Sequence, residues 1–208
     1  MGIDTRPKKM RRAARRLFGG RIQKKGKNIM VYVFLADGFE EVEALTPVDY
    51  LRRAGIEVVT VGVSGKTVVG ARKIPVVCDT TQDKLSAEVP EAVILPGGIP
   101  GVPNLLKSSV VADTLEKTYR AGGLIAAICA APTILSAYGY LEGKNAVCYP
   151  GMEKDLCGAH YQKERVVRDG MILTAEAAGS AELFAFEIIR ILRGEEAAEK
   201  VRTAVVAR

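Results

Sequence analysis

Cys129 stands where an apolar run, Gly123 to Ile128 (GLIAAI), gives way to a small-residue, helix-forming stretch, Ala130 to Ala137 (AAPTILSA). A buried strand that ends in a cysteine and turns at once into a helix delivers the sulfur at the carboxyl edge of a sheet. The same device carries serine in the hydrolase elbow. So tight a turn needs small neighbours, and Ala127, Ala130 and Ala131 supply them. A helix beginning here would aim its backbone N–H groups and positive dipole end at the sulfur, favouring thiolate. The competing reading is a buried structural cysteine, since free Cys is among the most buried residue types.

A thiol that does chemistry needs a proton acceptor and donors for the oxygen it attacks. Glu40 and Glu43 lie three apart and share a helix face, with Glu41 pointing elsewhere. Early acids also suit a helix N-terminus, which is the plain explanation of Glu40 and Glu41. Glu43 sits among Val42, Ala44 and Leu45, where burial would raise its pKa and let it shuttle a proton. Pro96-Gly97-Gly98 could present bare backbone N–H groups to an oxyanion, or be an ordinary glycine turn. His160, the one histidine of the chain, is either a base within reach of the cysteine or a surface residue. Cys78, Cys129, Cys148 and Cys157 show neither close-paired metal spacing nor a redox pair, and with a single histidine no zinc or iron site is expected.

These residues fall at the ends of apolar strands. Ile29–Ala36 (IMVYVFLA) lacks alternation, as a strand buried on both faces does. Glu40–Ala54 reads as a helix closed by Gly55 and interrupted by Pro47. Ile56–Val63, Ala92–Leu95 and Leu124–Cys129 read as further core strands, with a helix over Ser109–Ala121. Thr67–Cys78 reads as a hairpin on one edge, and Asn145–Tyr149 as a strand. Arg165–Arg168 and Met171–Thr174 flank the turn signal Asp169-Gly170, and helices follow over Ala181–Leu192 and Glu195–Val205. Alternating strands and helices predict an α/β domain with a mostly parallel sheet. In such sheets ligands bind beyond the carboxyl ends of the strands. Asp37-Gly38, Gly97-Gly98 and Cys129 would then converge on one pocket.

The net charge of +6 is unevenly spread. Residues 1–28 carry eleven Lys/Arg and one acid, and residues 29–208 carry nineteen Lys/Arg against twenty-three acids. A single acidic domain over 29–208 thus follows a basic, disordered extension over 1–28, whose partner the sequence leaves open. The charge argument for nucleic-acid binding by the body disappears. No apolar run reaches the roughly 18 residues of a membrane span, and no secretory signal is evident. A cytoplasmic, reducing location with free thiols is expected.

Ala36–Asp49 (ADGFEEVEALTPVD), Leu51–Ile56 (LRRAGI), Val93–Gly98 (VILPGG), Ala126–Pro132 (AAICAAP), Gly158–Tyr161 (GAHY) and Asp169–Thr174 (DGMILT) follow one another at natural spacing. Together they resemble the ThiJ/PfpI superfamily, in the branch of the Parkinson-disease protein DJ-one, over residues 29–208. The resemblance implies a flavodoxin-like three-layer sandwich that works as a homodimer, with Cys129 at a nucleophile elbow. It implies Cys129 as the oxidisable nucleophile, Glu43 as its protonated partner, Gly98 and Ala130 as oxyanion-type donors, and His160 as the pocket histidine. It also implies a place for Cys78 near the dimer interface. The expected activity is a cofactor-independent glyoxalase or deglycase acting on small aldehydes or glycated protein. A redox-sensing chaperone is the alternative. A cysteine peptidase ranks lower, because Ala130 stands where the protease-like branch has histidine.

Overall fold

The computed structural model describes residues 29–207. The basic extension 1–28 lies outside the described residues. The main sheet has seven strands: β1 (Met30–Leu35), β2 (Glu57–Gly62), β5 (Thr80–Thr81), β6 (Ala92–Leu95), β7 (Leu124–Ile128), β10 (Val166–Asp169) and β11 (Ile172–Ala175). Their spatial order is β10-β11-β7-β6-β1-β2-β5. All neighbours are parallel except the β10–β11 hairpin, which turns at Asp169-Gly170. The five strands β2-β1-β6-β7-β11 form the flavodoxin-like doubly wound order, whose direction reverses between β1 and β6.

Two apolar layers cover the sheet because each central strand is apolar on both faces. From β1, Val31, Val33 and Leu35 pack on one side, against α1 (Glu41–Arg53), α5 (Ala181–Arg193) and α6 (Glu195–Ala204). Tyr32 and Phe34 pack on the other, against α2 (Gly101–Leu106), α3 (Ser109–Arg120) and α4 (Pro132–Ala137). The result is a three-layer α/β sandwich.

Three details differ from the sequence-based expectation, each for a hydrogen-bonding reason. The helix after Cys129 begins at Pro132, not Ala130. Proline is well placed there because the first helical residues have no use for a backbone N–H. The expected strand over Asn145–Tyr149 shortens to β8 (Asn145–Ala146), paired with β9 (His160–Tyr161). Beyond it, Val147 N–H donates to the Thr174 hydroxyl and Tyr149 N–H to the Cys129 carbonyl, so neither joins the ladder. The hairpin β3 (Thr67–Val69) and β4 (Pro75–Val77) is a separate two-stranded sheet. It docks on the start of α1, where Gly38 N–H donates to Val69 O and Ala71 N–H to Phe39 O. Helix α1 runs through Pro47, which has no N–H to offer the Glu43 carbonyl.

Candidate active site

The loops after β1, β6 and β7 leave adjacent strands and meet at the point where the strand order reverses. Each carries one part of the site. The loop after β1 leads into α1 and sets Glu43 in its first turn; the side chain is 1% exposed. The loop after β6 supplies Gly97 and Gly98. The end of β7 supplies Cys129.

Cys129 is held in a left-handed backbone conformation, φ 66°. That costs a side-chain-bearing residue on the order of 1–3 kcal/mol and persists only where neighbours over-determine it. Here Cys129 N–H donates to Ala175 O at 2.9 Å, while its carbonyl accepts from Tyr149 N–H at 2.8 Å. Both backbone groups are thus tied to other segments, and the thiol is turned out of the sheet toward Glu43.

Glu43 Oε2 accepts from Gly97 N–H at 2.9 Å. The carboxyl also takes hydrogen bonds from the Cys129 thiol and Ala178 N–H. Gly98 and Ala130 N–H groups point at the Cys129 sulfur. The glycines are sterically required. A Cβ on Gly97 would lie 2.6 Å from both Cys129 Cβ and Glu43 Oε2. Gly98, at φ 96°, has no room for a Cβ beside Glu40 N and Gly38 O, each 2.4 Å away. Gly97 therefore makes the contact between acid and thiol possible, and Gly98 turns an N–H toward the sulfur.

Burial dominates the electrostatics of the pair. Burial raises Glu43 from its ordinary 4.5 to about 7, with the charge of Glu40 adding to the rise and the Cys129, Gly97 and Ala178 hydrogen bonds opposing it. Burial, then the charge and hydrogen bond of Glu43, push the Cys129 thiol up to about 12 against the Ala130 and Gly98 donors. Helix α4 is only six residues long and starts three residues past the sulfur. Burial and the neighbouring carboxyl act against the thiolate that a helix dipole favours. The two groups are in contact and titrate as one coupled pair.

The remaining residues named from sequence fall elsewhere. His160 is exposed on β9, its backbone N–H donating to Lys144 O at 2.7 Å. No hydrogen bond or ion pair joins its imidazole to Glu43 or Cys129, so it is not brought into this cluster. The stretch after β8 instead contributes Tyr149 through its bond to the Cys129 carbonyl. Glu41, which the sequence explains as an early acid at a helix N-terminus, is buried. Its Oε1 accepts from Arg72 N–H at 2.7 Å and fastens the hairpin to α1. Cys78 and Cys148 are buried, their thiols raised to about 11 by burial and neighbouring acids, and Cys157 is exposed. Sequence reasoning missed Tyr149, Ala178 and Arg72. Only the placement of separate segments against the elbow identifies them.

The raised Glu43 carries a stability consequence with a definite sign. Below pH 4.5 the carboxyl is protonated in folded and unfolded chains alike and costs nothing. From 4.5 to about 7 the unfolded chain releases a proton that the folded one keeps, so stability falls as pH rises. Above pH 7 the full penalty stands, on the order of 3 kcal/mol. Glu43→Gln cannot ionise, so urea unfolding should show it gaining about 2–3 kcal/mol on the wild type between pH 4.5 and pH 8. A difference that does not change with pH would mean that Glu43 titrates at its ordinary value.

Comparison with known proteins places the chain in a family. The DJ-1/PfpI family model matches residues 29–191. Protein dj-1beta of Drosophila melanogaster is 38% identical over 172 residues, 81% of this chain and 92% of its own. The crystal structure of Drosophila DJ-1beta is 36% identical, with a TM-score of 0.84 over 88% of this chain and 100% of that one. Oxidized DJ-1 of Toxoplasma gondii is 33% identical, with a TM-score of 0.83 over 86% of this chain and 98% of that one. The Caenorhabditis elegans protein named glutathione-independent glyoxalase DJR-1.2 is 32% identical over 158 residues, 76% of this chain and 84% of its own. With most of its length matched by the family model, and with relatives matched over nearly theirs, this chain belongs to the DJ-1/PfpI family.

Proposed function

We propose that this protein is a glutathione-independent glyoxalase that converts methylglyoxal or glyoxal, or their early adducts on protein, to hydroxy acids through a covalent bond to Cys129. The observation that carries the reading is the buried contact between Cys129 and a carboxyl poised near pH 7, with two backbone N–H groups on the sulfur. A general base works best when its pKa lies near the working pH. The worm relative named as a glyoxalase supports the same reading.

In this mechanism the Glu43 carboxylate takes the thiol proton as sulfur adds to the aldehyde carbon. No standing thiolate is needed. The oxygen that gains charge lies beside the sulfur, within reach of Gly98 and Ala130 N–H groups, and takes the proton back from Glu43. The product is a hemithioacetal. Glu43, again ionised, removes the hydrogen of the former aldehyde carbon. Electrons shift toward the adjacent carbonyl, Glu43 returns the proton to that carbonyl's carbon, and the hydroxyl proton of the hemithioacetal passes to its oxygen. One carbon is oxidised and its neighbour reduced, leaving a hydroxyacyl thioester on Cys129. Water cleaves the thioester, releasing lactate from methylglyoxal or glycolate from glyoxal and restoring the thiol. The balance is aldehyde plus water to hydroxy acid, which requires neither cofactor nor metal. The peptidase reading loses support, because its base would be His160.

A redox role is the second reading. The same two N–H groups that face the sulfur could hold the oxygens of a sulfinate, with protonated Glu43 as a further donor. The solved Toxoplasma relative is the oxidised form of that protein. Four free cysteines fit a reducing compartment such as the cytoplasm.

The working unit in this reading is a homodimer. Val42 and Leu45 on α1 are exposed, as are Val69, Ile74 and Val77 on the hairpin that Glu41 fastens to it. Apolar side chains gathered on joined elements are what an interface between copies buries.

Three measurements test these statements. Purified protein should form lactate from methylglyoxal without glutathione or added metal. Cys129→Ala and Glu43→Gln should each lose at least about 100-fold in kcat/KM, roughly the contribution of a nucleophile or general base, and His160→Ala should stay near wild type. Full activity in Cys129→Ala sinks the enzyme reading. Under mild peroxide, mass spectrometry should find two added oxygens on Cys129 ahead of the other three cysteines; uniform oxidation contradicts the redox role. Light scattering should give twice the chain mass for the wild type and the single-chain mass for Val77→Asp. An unchanged mass in that variant removes the hairpin from the interface.

A further inference from the structure

The hairpin tip carries a cation to the edge of the site. Residues 70–74 form a tight turn, with Gly70 N–H donating to Ile74 O, Lys73 N–H to Gly70 O, and Lys73 at φ 68°. Bonds to the start of α1 fix this turn in place: Ala71 N–H to Phe39 O at 2.8 Å, and Arg72 N–H to Glu41 Oε1 at 2.7 Å. Gly70 lets it approach, since a Cβ there would lie 2.2 Å from Glu41 Oε1. The consequence is that Arg72 Nη2 stands 3.5 Å from Glu40 Oε2.

Glu40 is the residue before α1 and lies three residues ahead of Glu43, on the same face. Its side chain is only 16% exposed, whereas that of Arg72 is 73% exposed. An ion pair with so exposed a partner adds little to folding stability. It can still act on a nearby buried charge, because the carboxylate of Glu40, just ahead of the helix, acts on Glu43 as a like charge. The other groups facing Glu43 are the Cys129 thiol on the elbow, Gly97 N–H from the loop after β6, and Ala178 N–H from the turn before α5. None of these is a cation, and Arg72 sets a positive charge against Glu40.

We propose that Arg72 is a positioning residue of the Cys129 site: by holding Glu40, it offsets the negative charge that would otherwise keep Glu43 from serving as the base. This rests on the reading of Glu43 and Cys129 as the reacting pair. Arg72 acts on neither of them directly. Its lever is the charge of Glu40, and that lever disappears when Glu40 is neutral.

The test is a carboxyl carbon-13 NMR titration of Glu43 in full-length protein labelled at glutamate, with the resonance assigned by its loss in Glu43→Gln. The wild-type midpoint is expected at about 7. Arg72→Ala should raise it by about half a pH unit, since Glu40 is then unopposed. Glu40→Gln should lower it by a similar amount, and Arg72→Lys should leave it near the wild type. The double variant Glu40→Gln/Arg72→Ala should titrate with Glu40→Gln alone, as expected for two residues in one chain of action. Arg72→Ala keeps the backbone bond to Glu41, so its fold is retained. At about 1 M salt, where screening acts within roughly 3 Å, the gap between Arg72→Ala and wild type should close. An unmoved midpoint in Arg72→Ala, or the same rise in the double variant as in the single, overturns the proposal. The readout is independent of methylglyoxal turnover. Predicted shifts in an inactive protein would sink the glyoxalase reading alone, and an active protein with unmoved midpoints would sink this inference alone.

Discussion

A carboxyl and a thiol, both removed from water, share one contact at the carboxyl edge of the sheet, and much of the surrounding structure exists in the form that this contact requires. Glu43 and Cys129 come from elements 86 positions apart in the chain. They meet only because β1, β6 and β7 are neighbours and because the loop after β6 places Gly97 between them with no side chain. The left-handed turn at Cys129 is a second requirement. It is held by Ala175 on one side and Tyr149 on the other, so the last sheet strand and the segment after β8 both serve the elbow.

Neither part of this arrangement favours folding. Ionised Glu43 opposes it at neutral pH, and the backbone of Cys129 is strained. The offsetting stability lies in the two apolar layers, where strands with no exposed face are covered by helices on both sides. This is the usual relation between a rigid core and a site that would relax if it could. The hairpin adds a local constraint. Buried Glu41 binds the turn that Gly70 allows to approach, so two adjacent acids of the same helix do unlike work. Glu41 fastens a structural element, and Glu43 faces the thiol.

The balance of charge also shapes the chemistry. A cysteine activated by a helix dipole would carry its negative charge at rest and would react with many electrophiles. Here burial and a contacting carboxyl act against a standing thiolate, so the two groups share their protons as a pair. In the proposed reaction that one carboxyl serves the proton transfers that accompany carbonyl addition.

Much of this was legible in the residues themselves. The strand-end position of Cys129, the burial of Glu43 among apolar neighbours, the backbone freedom of Gly98 and the doubly buried strands all follow from local composition and periodicity, because burial and turn geometry leave short-range marks. The shortening of the Asn145–Tyr149 strand did not, because its N–H groups go to Thr174 and Cys129 rather than to a strand partner. Nor did the exposed position of His160, the contact of Arg72 with Glu40, or the burial that opposes charge on Cys129. Those depend on which segments lie against the elbow and on how much water they exclude. Solvation and electrostatic coupling are sums over neighbours in space, so the sequence by itself determined which groups could react, and only the tertiary structure decided which of them meet and how far water is kept from them.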